Sequence, residues 1–217
     1  MAKFINVKIG QFYYNKFLKP IRTKKDLVLL LLDTINAMYL NENVMGNDKG
    51  NIFIKVDKMS RIFYDLNDKL FSLVFPFSLE TQEESRIRYL IFDPVTDVIV
   101  DNKAVSLMRT IVEKMDLCNT TFERLIEEAY FDAGNDNFDM NYVDNCCMMI
   151  LRMFTTESGY IRYDYDAEHQ DGVQHPLNHL DINYSTKCTY KLGLNKRMIM
   201  DEFVDLLDVQ TDCRFVT

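Results

Sequence analysis

The sequence predicts an α+β fold in which an antiparallel sheet of about five to six strands packs against about five helices. The chain has 217 residues, 47% of them hydrophobic, and its 7 glycines and 4 prolines form no linker. We therefore expect a single globular domain over residues 1–217. Apolar residues recur at helical spacing within 27–39 and 102–155, and they alternate with polar residues in much of 51–100 and 160–184.

The helices are predicted from this periodicity and from start signals. Thr23 and Asp26 fit the capping pattern at a helix start, and the apolar residues after them predict a buried helix. Further helices are expected at about 102–117, 120–131 and 139–155, and after Asn195. Cys146 and Cys147 lie within the helix at 139–155. Because neighbouring helical side chains diverge by about 100°, we expect this pair to fill the core rather than to do redox chemistry.

The strands are predicted from alternation and turn signals. Between 51 and 100 the pattern favours an antiparallel meander of about four strands. Asp93-Pro94-Val95-Thr96 has the composition of a turn near the end of that meander. The dense aromatic residues of this region are expected to fill the core, because large side chains dominate core burial.

Charge is unevenly distributed along the chain. The net charge is −8, yet the first 25 residues hold seven basic residues and no acidic one. An acidic body disfavours non-specific binding of nucleic acid, but a local basic surface could still bind it. The N-terminal segment interleaves aromatic residues with Lys3, Lys8, Lys16, Lys19 and Arg22. Two interpretations stay open: a nucleic-acid surface, or an ordinary strand or helix whose aromatic residues enter the core.

Cysteine usage and hydropathy bound the location. The longest apolar run, Leu27 to Leu32, is too short to span a membrane, so no membrane association is expected. The five cysteines are odd in number and form no Cys-x-x-Cys pair, which is typical of reduced thiols in a cytoplasmic protein. Neither a P-loop nor a dinucleotide fingerprint occurs, and we expect no cofactor.

Residues 159–209 carry the candidate site, and all three histidines of the chain lie within it. Residues 160–166 and 179–184 each alternate apolar with polar side chains, and Asp171-Gly172 provides a turn between them. If these two amphipathic strands form an antiparallel hairpin, one natural register places Asp164 opposite His179 and Arg162 opposite Asp181.

Two hypotheses for this hairpin stay open. The first is a hydrolytic site in which His175 or His179 acts as general base or acid, the carboxylates orient the histidine, and Arg162 holds an anion. A metal held by histidine and aspartate is a variant of it, although no resident metal is expected. The second hypothesis is a structural ion-pair ladder that fixes the register. His169 is expected to be an exposed loop residue outside the site.

The same residues resemble a known family. Arg162-Tyr163-Asp164, then an acidic loop, His175-Pro-x-x-His179-Leu180, Cys188 and a last helix through Phe203 are similar to the C-terminal part of the bacterial family catalogued as "domain of unknown function 2290". That family follows its cysteine with Arg-Ile-Pro, where this chain has Thr189-Tyr190-Lys191. If the family's arginine serves an anion, Lys187 or Lys191 would have to replace it here.

The resemblance implies a function in anti-phage defence or a toxin-like context. A looser similarity links the Arg-Tyr-Asp-Tyr…His…His order to small toxin proteins thought to cut RNA. We therefore expect a cytoplasmic bacterial partner-binding subunit associated with defence. The alternative is an RNA- or nucleotide-directed hydrolase that uses His175, His179 and Asp164.

Overall fold

Antiparallel strand pairing organises much of this chain. The computed structural model describes residues 3–40, 49–81, 89–116, 121–134, 139–185 and 187–215. Its strands are β1 Lys3–Ile9, β2 Gly50–Val56, β3 Ser60–Asp65, β4 Lys69–Val74, β5 Ser78–Thr81, β6 Tyr89–Phe92, β7 Ile161–Tyr165, β8 Asn178–Ile182 and β9 Tyr190–Gly193. Its helices are α1 Gln11–Phe17, α2 Lys24–Leu40, α3 Asn102–Lys114, α4 Phe122–Gly134, α5 Met140–Thr155 and α6 Met200–Leu207.

The chain divides into two compact units. The first comprises Met1–Arg22, Asn43–Phe75 and Ser158–Thr217, and the second comprises Thr23–Glu42 and Pro76–Glu157. The first unit contains a seven-stranded antiparallel sheet in the order β1-β2-β3-β4-β7-β8-β9. The second contains α2 to α5 and the separate β5–β6 hairpin.

The main sheet has two chemically different faces, because successive side chains of a strand point to opposite sides. One face is apolar, and Phe203 of α6 joins its core. That core consists of Met59, Phe63, Leu70, Ile161, Tyr163, Leu180 and Phe203. The opposite face is apolar over β1 to β3 but becomes polar towards β9, where it carries Lys69, Arg162, Asp164, His179, Asp181 and Lys191.

A helix cap and a turn that the sequence predicts are both present in the second unit. The α2 helix opens with the reciprocal cap that the sequence predicts: Asp26 N–H donates to Thr23 Oγ1 at 3.2 Å, and Thr23 N–H donates to Asp26 Oδ2 at 2.9 Å. The predicted turn at Asp93 is also present, since its carboxylate accepts from Thr96 N–H at 2.8 Å. Cys146 and Cys147 are buried, and burial raises the pKa of these thiols to about 12 and about 11. They fill the core, as expected.

The predicted α+β class is confirmed, with more strands than expected. Within the described residues there are six helices and nine strands, and the meander at 51–100 is split between two sheets. The sequence left the N-terminal segment open as a strand or a helix, and the structure contains both, β1 and α1. The prediction missed β9, and it began the last helix too early, since α6 starts at Met200. None of the described helices is long and apolar enough to cross a membrane.

We expect the packing of α6 to depend strongly on Phe203, its one member of the buried core. Phe203 is fully buried and packs edge-on against Phe63, with ring centroids 6.2 Å apart. Phe203→Ala should lower the free energy of unfolding by about 3–5 kcal/mol, because a large cavity would open. Phe131, 79% exposed on α4, offers the matched control, and Phe131→Ala should stay within about 0.5 kcal/mol of the unmutated protein. Urea unfolding of both variants checks this, and equal effects would contradict it.

Candidate functional site

The β7–β8 hairpin forms in the predicted register. Asp164 lies opposite His179, and Arg162 lies opposite Asp181. The predicted turn is also confirmed: Gly172 has a φ of +48°, and Asp171 and His175 exchange backbone hydrogen bonds of 2.9 and 3.0 Å. A positive φ suits glycine, which has no Cβ to clash. The charged side chains of both strands therefore share one face of the sheet.

Arg162 is the centre of an ion-pair cluster. Its Nε donates to Asp164 Oδ2 at 2.5 Å, and an Nη2 hydrogen is donated to Asp181 Oδ2. Burial opposes the charge on Arg162, but the carboxylates of Asp164 and Asp181 outweigh it and raise the pKa of the guanidinium. We call Arg162, Asp164 and Asp181 the Arg162 cluster. The guanidinium is thus held charged by two carboxylates of the same hairpin.

His179 is buried beside Asp164 of this cluster. Its ring is 2% exposed, and its Nδ1 lies 2.9 Å from the carbonyl oxygen of Pro176. Because a carbonyl can only accept, Nδ1 carries the hydrogen, and Nε2 faces Asp164 Oδ2 at 3.7 Å. The half-buried His175 packs edge-on against His179, with ring centroids 4.6 Å apart. The two histidines form a packed pair.

A cleft of about 830 Å³ opens beside the Arg162 cluster. The described residues that line it do not include His175 or His179. They do include all three members of the Arg162 cluster. The full lining is Tyr14, Leu18, Pro20, Ile21, Arg22, Leu66, Asn67, Asp68, Lys69, Arg162, Asp164, Tyr165, Asp166, His169, Asp181, Asn183, Tyr184, Thr189 and Lys191.

Of the two predicted binding lysines, one lines this cleft and the other is not among its described lining residues. Lys191 lines it and lies opposite Asp181 in the β8–β9 pairing, whereas the exposed Lys187 is not among the described lining residues. His169 is exposed, as expected, but it does line the cleft, with its Nδ1 3.0 Å from Asp166 Oδ1. The sequence therefore placed His175 and His179 in the site and His169 outside it, whereas His169 is the histidine found among the described lining residues.

Lys69 is the main residue that sequence reasoning missed. It lies opposite Asp164 in the β4–β7 pairing, and its Nζ is 5.4 Å from the centroid of the Phe71 ring. Burial, helped by the nearby charge of Arg162, lowers the pKa of Lys69 to about 8, although Asp164 opposes this shift. Its only sequence signal is a lysine at the start of an otherwise apolar strand. Because β4 is apolar on both faces, alternation does not show which way Lys69 points.

Three residues of the site could offer metal ligands. Asp164, His179 and Asp181 present ligand atoms within 4.8 Å of one another. However, the Arg162 guanidinium already donates to both carboxylates, so a divalent cation here would meet a fixed positive charge. The donor set therefore favours an ion-pair cluster over a metal centre.

The aromatic residues of the basic N-terminal segment are partly buried and partly exposed. Phe17 is buried, while Phe4 and Phe12 are 58% and 66% exposed, with Lys16 Nζ 4.9 Å from the Phe12 ring centroid. Of the predicted cations, Lys8, Lys19 and Arg22 are exposed, Lys16 is half-buried, and the Lys3 side chain lies outside the described part of the chain. Nucleic-acid binding by this surface stays a prediction.

Comparison with known proteins finds no match among family models, curated proteins or solved structures. The resemblance of residues 160–209 to a bacterial family therefore stays an expectation from the sequence.

We expect the Arg162 cluster to hold the hairpin. Arg162→Met should lower the free energy of unfolding by about 2–3 kcal/mol, because it removes the guanidinium that pairs with two largely buried carboxylates. Arg124→Met is the matched control, since it breaks the exposed pair with Glu128, and it should cost less than about 0.5 kcal/mol. Adding Asp164→Asn and Asp181→Asn to Arg162→Met should restore part of the loss. Equal effects of the two arginine substitutions in urea unfolding would refute this role.

Proposed function

We propose that this protein is a partner-binding subunit whose cleft receives a short segment of another protein. The observation that carries the proposal is the arrangement around Arg162. The guanidinium pairs with Asp164 and Asp181, and His175 and His179 are not among the described residues that line the cleft. A site arranged in this way presents paired charges for recognition, and the packed histidine pair does not line it.

The charge of the cleft favours a protein segment over a polyanion. Its lining contains four lysine or arginine side chains and four carboxylates, so the two signs balance. A nucleic-acid backbone gains little net attraction from such a surface, whereas a peptide that carries both signs can pair with it. Three tyrosines also line the cleft, Tyr14, Tyr165 and Tyr184. Tyrosine is enriched at protein interfaces because it offers contact area and a hydroxyl.

The size of the cleft limits what can enter. Ligand pockets commonly measure roughly 300–1,000 Å³, and this cleft is about 830 Å³. Only a few side chains of a partner would fit, and such anchors can supply most of the binding energy of an interface. The cytoplasmic location and the anti-phage context of the proposal rest on cysteine usage and on the resemblance of residues 160–209.

The proposal can be tested with a pair of matched lysine variants. Lys191→Glu, inside the cleft, should weaken the partner complex at least about tenfold, because it places a carboxylate beside Asp181. Lys187→Glu makes the same charge change outside the described lining and should leave binding intact. Tagged protein from its native host, with co-purifying chains identified by mass spectrometry, provides the readout.

Three outcomes of this experiment would contradict the proposal. The first is a lone monomer in light scattering with no co-purifying chain. The second is an equal effect of both lysine substitutions. The third is retention of RNA or DNA, lost on raising the salt concentration, which would transfer the function to the basic N-terminal segment.

A second candidate, an RNA- or nucleotide-directed hydrolase, is favoured by one contact. His179 Nε2 faces Asp164 while its Nδ1 is fixed by Pro176, which is how hydrolases orient an imidazole. This function needs a movement that exposes His179 to substrate. The structural alternative, in which the ion pairs only fix the register of the hairpin, needs no such movement.

A histidine variant separates these two roles. His175→Ala combined with His179→Asn should abolish RNA cleavage or cellular toxicity if the pair is catalytic, because it removes the groups that transfer protons. Asparagine at 179 retains a donor for the Pro176 carbonyl, so the fold should survive, as circular dichroism would verify. His169→Ala removes the exposed third histidine and is the control. Full activity of the double variant would exclude catalysis by the pair.

A further inference from the structure

Lys69 occupies an unusual place for a lysine. It starts β4, a central strand of the sheet, and its half-buried side chain lines the cleft. Among the described residues, its ammonium makes no hydrogen bond or ion pair, and it lies over the Phe71 ring, 5.4 Å from the centroid. Lysines removed from water are normally paired, because an unpaired buried charge is costly.

The neighbours of Lys69 favour the neutral amine. The cation Arg162 lies opposite Phe71, two positions along the strand from Lys69. Burial and this neighbouring charge lower the pKa of Lys69 to about 8. About a tenth of the side chains would then carry a free lone pair at neutral pH, far more than for a solvent-exposed lysine. A desolvated amine next to another cation is a recognised way to activate a lysine nucleophile.

We propose that Lys69 is a nucleophilic amine that forms an imine with a small aldehyde or ketone entering the cleft. Lys69 Nζ adds to the carbonyl carbon, and a proton passes from nitrogen to oxygen to give a carbinolamine. Loss of water then forms the carbon–nitrogen double bond, with no oxidation or reduction. Asp164, directly opposite on β7, places a negative charge near the protonated imine. This inference goes beyond partner binding and is independent of it.

The cleft has the properties that this reaction needs. At about 830 Å³ it can admit a small carbonyl compound, and its balanced charges do not repel an anionic one. The pairing of β4 with β7 places Lys69 at the cleft, and its half-buried side chain lies against the Phe71 ring. Lys196 is exposed and lies outside the described lining of this cleft, so it serves as an internal reference.

Trapping the imine tests the proposal on the unmodified protein. The chain is incubated at neutral pH with substoichiometric pyridoxal phosphate as the probe aldehyde, reduced with borohydride, digested and mapped by mass spectrometry. Lys69 should be labelled at least about tenfold faster than Lys191 or Lys196, because its amine fraction is larger. Labelling distributed over the exposed lysines, with Lys69 at or below their level, would overturn the proposal.

Two variants sharpen this test. Lys69→Met removes the amine but keeps an apolar stem. It should lose the fast label, and it should also lose the absorbance of the pyridoxal phosphate imine measured before reduction. Lys196→Met removes an exposed lysine outside the described lining of the cleft and should keep both. A folded Lys69→Met protein that still shows the fast label would refute the assignment. If Lys69→Met does not fold, the labelling map of the unmodified protein decides, and it does so whether or not a partner protein is ever found.

Discussion

The pairing of Arg162 with Asp164 and Asp181 is the constraint on which the C-terminal half of the main sheet depends. It joins β7 to β8 through side chains on one face, while Tyr163 and Leu180 on the other face enter the core with Phe203. Because the side-chain period of a strand is two, a slip of one residue would expose the core and bury the charges together. The cluster and the core therefore enforce the same register from opposite faces.

This double constraint explains which parts of the fold could be predicted from the sequence. The register and turn of the hairpin were predictable, because its alternation, its turn and its charge complementarity are local signals that agree. The bounds of the second strand were less so, since β8 spans Asn178–Ile182 rather than 179–184. The alternation of β9 extends over only four residues, which is too short to identify a strand by itself. The α1 helix is only seven residues long and follows Gly10, which has no side chain to cap it. The assignment of β5 and β6 to their own sheet depends on strand pairing, which local propensity does not encode.

The candidate site was predictable in its members but not in their roles. Arg162, Asp164, His179 and Asp181 come together as the pattern implies, because they share one face of one hairpin. Their positions in the sheet differ, however. The charged side chains line the cleft, whereas His179 packs against His175 and is not among the described lining residues. Lys69 could not be found in this way, since it joins the site only through the pairing of β4 with β7, whose residues are far apart in the chain.

The Arg162 cluster also sets the chemistry of the residue that it leaves out. Both of its carboxylates are engaged by the guanidinium, so Asp164 gives Lys69 proximity without an ion pair. Burial removes water from the amine, and the fixed charge of Arg162 adds to the cost of protonation. Removing Arg162 would release Asp164 to pair with Lys69 and would restore an ordinary lysine. The interaction that holds the hairpin in register therefore also keeps one amine of the cleft poised to react.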